Sequence, residues 1–235
     1  MNNLPFISVV IPAYNEEHYL ARCLEAVTGQ DYPGPYEIIV VDNGSGDKTQ
    51  EIARSYPNVK VISEPKKGVG FARQAGFSVA RGKIIASTDA DSSAPPDWLS
   101  RISQIFYQND HLVGITGPPY PLDAGRVEFF GYPFYKLFLS FYASRGFNVC
   151  AGFNFAILAK AFWDLGGFNT SLRVGEDSEF WKRLKDYGPT MFVPDLIVPV
   201  SCRRLHSSGL VRAYVRYSAA YIFVNLLNLP PTFLK

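Results

Sequence analysis

An alternation of two patterns constrains this chain more than any other feature. Ile7-Ser-Val-Val-Ile11, Glu37-Ile-Ile-Val-Val41, Val59-Lys-Val-Ile62 and Lys83-Ile-Ile-Ala-Ser87 are short β-branched runs, the signature of buried strands. Helix-like stretches separate them. Glu16–Thr28 sets Tyr19, Leu20, Cys23, Leu24 and Val27 on one face, with two acids in its first turn. Lys48–Ser55 follows Asp47, which is placed to cap it, and Gly70–Ala80 completes the cycle. Strands alternating with helices imply right-handed βαβ units. The fold class is therefore α/β, a mostly parallel sheet covered on both faces. Such sheets bind ligands beyond the carboxyl ends of their strands.

Those ends are where the chemistry gathers. The first strand runs into Pro12-Ala-Tyr-Asn-Glu16, the second into Asp42-Asn-Gly-Ser-Gly-Asp47, the last into Thr88-Asp-Ala-Asp-Ser92. Carboxylates and small turn residues thus converge on one edge. Past Leu112-Val-Gly-Ile115 the alternation breaks down: Arg126–Phe147 is an aromatic stretch containing Pro133, Ala151–Leu158 reads as a strand, and Asp177–Tyr187 as a helix.

Composition narrows the class. With 47% hydrophobic and 19% charged residues in 235, disorder is excluded. The 19 glycines and 17 prolines show no triplet period, which excludes collagen. A net charge of +2 argues against nucleic acid as a partner. Cys23, Cys150 and Cys202 lack paired spacing, so neither a disulfide framework nor a zinc site is expected. Met1 to Phe6 shows no charged region followed by an apolar run, so no signal peptide is expected, and the longest apolar candidate, Tyr217–Leu229, is short and interrupted by Ser218, Asn225 and Asn228. A cytoplasmic protein is expected.

Asp89 and Asp91 stand two residues apart after a buried strand. In extended chain that spacing points both carboxylates to one side, where hard oxygen ligands suit Mg²⁺ or Mn²⁺. The competing reading is a helix-capping pair ahead of Pro95-Pro96-Asp97-Trp98.

Val9-Val-Ile-Pro-Ala-Tyr-Asn-Glu16, Val40-Val-Asp-Asn-Gly-Ser-Gly-Asp47, Gly68-Val-Gly-Phe-Ala-Arg-Gln-Ala-Gly76, Asp89-Ala-Asp91 and Gly175-Glu-Asp177 occur in this order. The series, spanning about Ile7 to Arg204, resembles the non-processive family 2 glycosyltransferases of bacteria and archaea. The resemblance implies a GT-A fold and a nucleotide-activated sugar donor, UDP-linked by preference, with GDP as the alternative. It implies that Pro12, Tyr14, Glu16, Asp42, Gly70, Arg73 and Asp89 bind the donor, and that Asp91 and Asp89 hold Mg²⁺ or Mn²⁺. Asp177 matches the family's catalytic base, which must lie within reach of an acceptor hydroxyl. Glu176, Gly152 and Asn154 fall on the acceptor or donor-sugar side. Arg203 and Arg204 would neutralise the leaving diphosphate, and His206 would complete the metal sphere. The processive Gln-x-x-Arg-Trp signature is missing, which implies transfer of a single sugar, with inversion. Gln74 replaces the family's usual Asn.

Bland readings stand beside these. Asp42 also suits a turn cap, Glu176 and Asp177 suit a helix start complementing its dipole, and Ala151–Asn154 suits a plain buried strand. A lone histidine such as His206 is usually a surface or core residue. A sugar nucleotidyltransferase would carry a Gly-rich basic loop after strand one, where Pro12-Ala-Tyr-Asn stands. A catalytically silent nucleotide-sugar-binding subunit is the other alternative.

Two segments remain. Phe129–Phe147 packs nine aromatics into 19 residues, and an amphipathic core helix is the favoured expectation. A membrane interface or hydrophobic acceptor is the alternative. The last 35 residues hold Arg203, Arg204, Arg212, Arg216 and Lys235 and no acid, leaving 18 basic against 21 acidic residues elsewhere. This basic tail suits contact with the inner face of an anionic membrane and a glycan or lipid-linked acceptor. The expected division is a nucleotide-sugar-binding half (1–117), an acceptor-binding catalytic half of the same domain (118–200) and the basic aromatic segment (201–235).

Overall fold

The computed structural model describes residues 4–123, 125–145, 152–172 and 174–203, with the backbone alone at 126–129. In chain order the elements are β1 (Ile7–Ala13), α1 (Leu20–Thr28), β2 (Tyr36–Asp42), α2 (Thr49–Arg54), β3 (Val59–Ser63), α3 (Val69–Ser78), β4 (Ile84–Ser87) and α4 (Trp98–Gln108). The second half adds β5 (Gly114–Thr116), β6 (Pro119–Pro121), α5 (Arg126–Ser144), β7 (Phe155–Leu158), α6 (Ala159–Asp164), α7 (Glu176–Tyr187), β8 (Thr190–Phe192) and β9 (Val198–Val200).

The large sheet has the order β3-β2-β1-β4-β7-β5-β8, parallel except for β7. β1 is buried along its whole length. Its alternate residues Ile7, Val9 and Ile11 pack with α1 and α4, while Val10 faces the opposite core with Ile39, Val41, Phe77 and Phe155. The strand is apolar on both faces because helices cover both. β7, from the second half of the chain, inserts between β4 and β5, so the two halves share one sheet. β6 and β9 form a small parallel pair, bridged to Ser92 through Val200.

Three expectations need correction. α1 starts at Leu20, not Glu16, and no acid lies in its first turn. The Glu16 carbonyl instead closes a turn by accepting the Tyr19 and Leu20 N–H groups. Asp47 sits one residue outside the position flanking α2, which Lys48 takes; its carboxylate still accepts the Thr49 N–H at 3.0 Å.

The third correction concerns α5. Its described side chains are none of them buried; Phe134 is 77% exposed, and Phe130, Leu137, Phe138 and Phe141 lie on the same exposed stripe. The helix packs beside the small sheet, with Tyr132 edge-on to Tyr120 and Lys136 paired to Asp195. It is amphipathic, but its aromatic face points away from the core. No helix among the described residues is long and apolar enough to cross a membrane.

Candidate active site

β1, β2 and β4 run parallel, so their carboxyl ends open on one edge. Pro12 shapes that edge. The Thr88 N–H donates to the Val10 carbonyl, so Val10 and, by alternation, Pro12 face β4. Lacking an N–H, Pro12 cannot extend the ladder, and the pairing stops at Ser87. The chain is then free to turn.

The loops after β1 and β2 are clasped together. Thr49 Oγ accepts the Glu16 N–H at 2.7 Å, Asp47 the Glu17 N–H at 3.1 Å, and Asn15 Oδ1 the Gly46 N–H at 2.9 Å. Asp42, 4% exposed, accepts the Ser45 N–H at 3.1 Å, and Gln50 lies 3.4 Å from its other oxygen. It does cap its turn. Tyr14 is exposed, with Lys67 Nζ 4.2 Å from its ring centre, and Gly70 lies in the first turn of α3. Pro12 is buried in β1.

Asp89 and Asp91 lie in a turn rather than in extended chain. The Ser92 N–H folds back on the Asp89 carbonyl at 3.1 Å, forming a turn supported by the Cys23 thiol. Each carboxylate meets its own arginine. Arg73 Nη2 lies 2.8 Å from Asp89 Oδ1, while its Nη1 bonds Glu176. Arg203 binds Asp91 Oδ2 at 3.1 Å, bonds Glu16 as well, and lies over the Tyr19 ring. Arg73 is 3% exposed and lies between the carboxylates of Asp89 and Glu176.

α7 begins after Gly175, whose φ of 81° lies in the left-handed region that favours glycine. Glu176 and Asp177 occupy the first turn, where acids complement the helix dipole. Asp177 Oδ2 accepts the Gly152 N–H at 2.8 Å and Oδ1 the Ser178 N–H at 2.7 Å. Glu176 is buried, and burial pushes its carboxyl up to about 7 against the pull of the Arg73 guanidinium. Glu179, in the same turn, is bound by Arg183 through both oxygens.

Asn154 is redirected by the structure. It is wholly buried, its Oδ1 accepting the Trp98 indole N–H at 3.0 Å and its amide donating to the Leu196 carbonyl. Both bonds are to protein, and they tie α4 to the second half. Arg204 and His206 lie outside the described residues, as does nearly all of the 201–235 segment.

Several organising residues escaped the sequence reading. Asn43 holds the loop before α3 by donating to the Glu64 and Lys66 carbonyls and accepting the Gly68 N–H. Gln74 accepts the Phe168 N–H at 2.8 Å. Asp123 binds Ser201 and Cys202, which carries Arg203 from β9 to Asp91. The only available signal was that Asp123 and Ser201 are polar residues beside strand ends.

No group of three or more His, Cys, Asp or Glu side chains forms a cage among the described residues. Glu16 and Asp91 are nevertheless buried carboxylates facing one guanidinium. That hard-oxygen, anionic site is chemically suited to a divalent cation that draws its remaining ligands from substrate phosphates.

Comparison with known proteins identifies the family. The family described as Glycosyl transferase family 2 matches residues 8–166. Glycosyltransferase AglE of Haloferax volcanii is 36% identical over 214 residues, covering 83% of this chain and 67% of that protein. A Methanococcus voltae enzyme named as a dolichyl N-acetyl-alpha-D-glucosaminyl phosphate 3-beta-D-2,3-diacetamido-2,3-dideoxy-beta-D-glucuronosyltransferase is 27% identical across 92% of this chain and 72% of its own length. Among solved structures, the mannosyltransferase PcManGT from Pyrobaculum calidifontis, in complex with GDP-Man and Mn2+, superposes with a TM-score of 0.69 at 23% identity. That likeness covers 91% of this chain and 64% of the other, and it establishes a shared fold.

Proposed function

The chain belongs to glycosyl transferase family 2, and we propose on that premise that it moves one sugar from a nucleoside diphosphate sugar to an acceptor oxygen, with inversion. One observation carries the reading. Asp89 and Asp91 follow β4, Asp177 opens α7, and Arg73 joins the two places through Asp89 and Glu176. A carboxylate suited to deprotonating an acceptor is thereby held near carboxylates suited to the donor.

Asp177 accepts the acceptor's proton as that oxygen attacks the sugar opposite the diphosphate. Two N–H donors fix the orientation of its carboxylate, which serves proximity more than basicity. Asp42 accepts a hydrogen bond from the base or ribose, and Tyr14 lies open beside it. Arg203 shifts from Asp91 and Glu16 toward the diphosphate, where a fork of N–H donors meets phosphate oxygens well. A divalent cation, Mg²⁺ or Mn²⁺, held by Asp91 with Asp89 would supply charge stabilisation for the departing diphosphate.

A lipid-linked acceptor is supported by the dolichyl phosphate in the name of the Methanococcus relative and by the exposed aromatic stripe of α5. With the basic, acid-free C-terminal sequence, that stripe suits peripheral contact with a membrane on its cytoplasmic side. The nucleoside of the donor is uridine or guanosine; the GDP-Man of the Pyrobaculum enzyme supports the second.

The test is Asp177→Asn. Donor binding, measured by calorimetry over a panel of UDP- and GDP-sugars with Mn²⁺, should stay close to wild type while sugar transfer disappears. Undiminished transfer would remove Asp177 from the mechanism, and release of pyrophosphate instead of nucleoside diphosphate would replace the reaction class.

A further inference from the structure

We propose that Arg73 is a positioning residue that couples occupancy of the donor-side carboxylate Asp89 to the orientation of Asp177; the proposal rests on reading Asp177 as the base. The residue is 3% exposed, and its guanidinium is engaged by its carboxylate neighbours. Nη2 lies 2.8 Å from Asp89 Oδ1, in the turn after β4, and Nη1 bonds Glu176, which precedes Asp177 in the chain. The guanidinium is planar and rigid, so a displacement felt at one nitrogen is carried to the other.

A second contact reaches Asp177 by a separate route. A Cβ built on Gly152 would fall 2.2 Å from Arg73 Nη2 and 2.6 Å from its Cζ. The guanidinium therefore lies against the bare backbone of Gly152, the residue whose N–H donates to Asp177 Oδ2 at 2.8 Å. Arg73 thus touches both the chain neighbour and the hydrogen-bond donor of Asp177. A phosphate or cation engaging Asp89 changes the pull on Nη2. The guanidinium then resettles between Glu176 and Gly152, and the carboxylate of Asp177 turns with them. A lysine at this position would offer a point charge and no second rigid arm.

The experiment uses the full chain labelled with 13C at aspartate carboxyl carbons, with the Asp177 resonance assigned by its loss in Asp177→Asn. UDP with Mg²⁺ and GDP with Mg²⁺ are the probes, and calorimetry on the same samples establishes which one binds. The bound nucleotide should shift the Asp177 resonance in the wild type, and the shift should vanish in Arg73→Met while the nucleotide still binds. Gly152→Ala, which displaces the guanidinium without removing it, should also lose the shift and carries the test if Arg73→Met does not fold. An unchanged shift in either variant overturns the coupling, as does a wild type that binds nucleotide with no shift. Loss of nucleotide binding in both variants would make Arg73 a nucleotide ligand and overturn it too. If Asp177→Asn retains transfer, or neither nucleotide binds the wild type, the underlying functional reading falls. Loss of transfer in Asp177→Asn with an Arg73-independent shift defeats the coupling alone.

Discussion

Two arginines serve the same edge of the sheet in opposite ways. Arg73 has 4% of its side chain exposed, lies against the Gly152 backbone, and bonds carboxylates from two different halves of the fold. Arg203 is 26% exposed and rides on the segment after β9, yet it too bonds two carboxylates, Asp91 and Glu16. The first is almost wholly buried and cannot leave without disturbing that packing. The second faces solvent and can exchange for another cation. Equal pairing patterns thus describe a fixed joint in one case and a replaceable contact in the other, and burial decides which.

The comparison breaks most directly at Glu176. Glu176→Ala would leave the buried Arg73 guanidinium with one carboxylate fewer, and removal of one partner from a buried pair costs about 3–5 kcal/mol. Denaturant unfolding should register that loss. Glu176→Gln, which keeps an acceptor for Nη1, should lose much less. A Glu176→Ala protein as stable as wild type would make the enclosed pair no different from a surface one. Asn154→Ala comes next. It strands the Trp98 indole N–H and the Leu196 carbonyl, two buried groups at about 1–3 kcal/mol each. A loss of about 2–4 kcal/mol is expected from the same unfolding measurement. An activity defect without that loss would restore Asn154 to sugar contact.

How much of this was legible in the sequence follows from the same contrast. The strands, their parallel order up to β4 and the gathering of Asp42, Asp89 and Asp91 at one edge were readable, because period and turn chemistry are local. That Glu176 and Asp177 would open a helix was also readable, from Gly175 and the acids behind it. The partners of the two arginines were not. Arg73 meets Glu176 across 103 positions, and Arg203 meets Asp91 across 112. No local pattern records where a long side chain ends. Extended chain does not continue through Asp89 and Asp91, because Pro12 had already ended the ladder with β4. The aromatic helix misled for another reason: periodicity reports that one face of α5 is apolar, not whether core lies against it.

The pH dependence of the enclosed pair gives a smaller effect with a definite sign. Burial raises the Glu176 carboxyl from 4.5 to about 7, outweighing the attraction of Arg73. The folded protein therefore holds this proton more tightly than the unfolded chain does. The stability it contributes is fully present below about 4.5 and is lost as pH rises through about 7. Subtracting the Glu176→Gln unfolding free energy from that of the wild type cancels the other titrating groups. The difference should fall with rising pH across that window, and a flat or rising difference would mean that Arg73 dominates after all.

Arg203 should give the smallest change in stability and the sharpest test of exchangeability. Its guanidinium leaves a space open to solvent, so Arg203→Ala admits water beside Glu16 and Asp91 and should cost no more than about 2 kcal/mol in chelator. The two carboxylates then lack their main counter-charge, and a divalent cation should bind the nucleotide-free variant more tightly than the wild type. A tenfold gain in Mn²⁺ affinity corresponds to about 1.4 kcal/mol, readable as a larger Mn²⁺-dependent rise in Tm for Arg203→Ala. Arg73→Ala should show no such gain, because only 4% of the Arg73 side chain is exposed against 26% for Arg203. If Mn²⁺ stabilises wild type and Arg203→Ala equally, the guanidinium does not stand in the cation's place, and the two arginines are joints of the same kind.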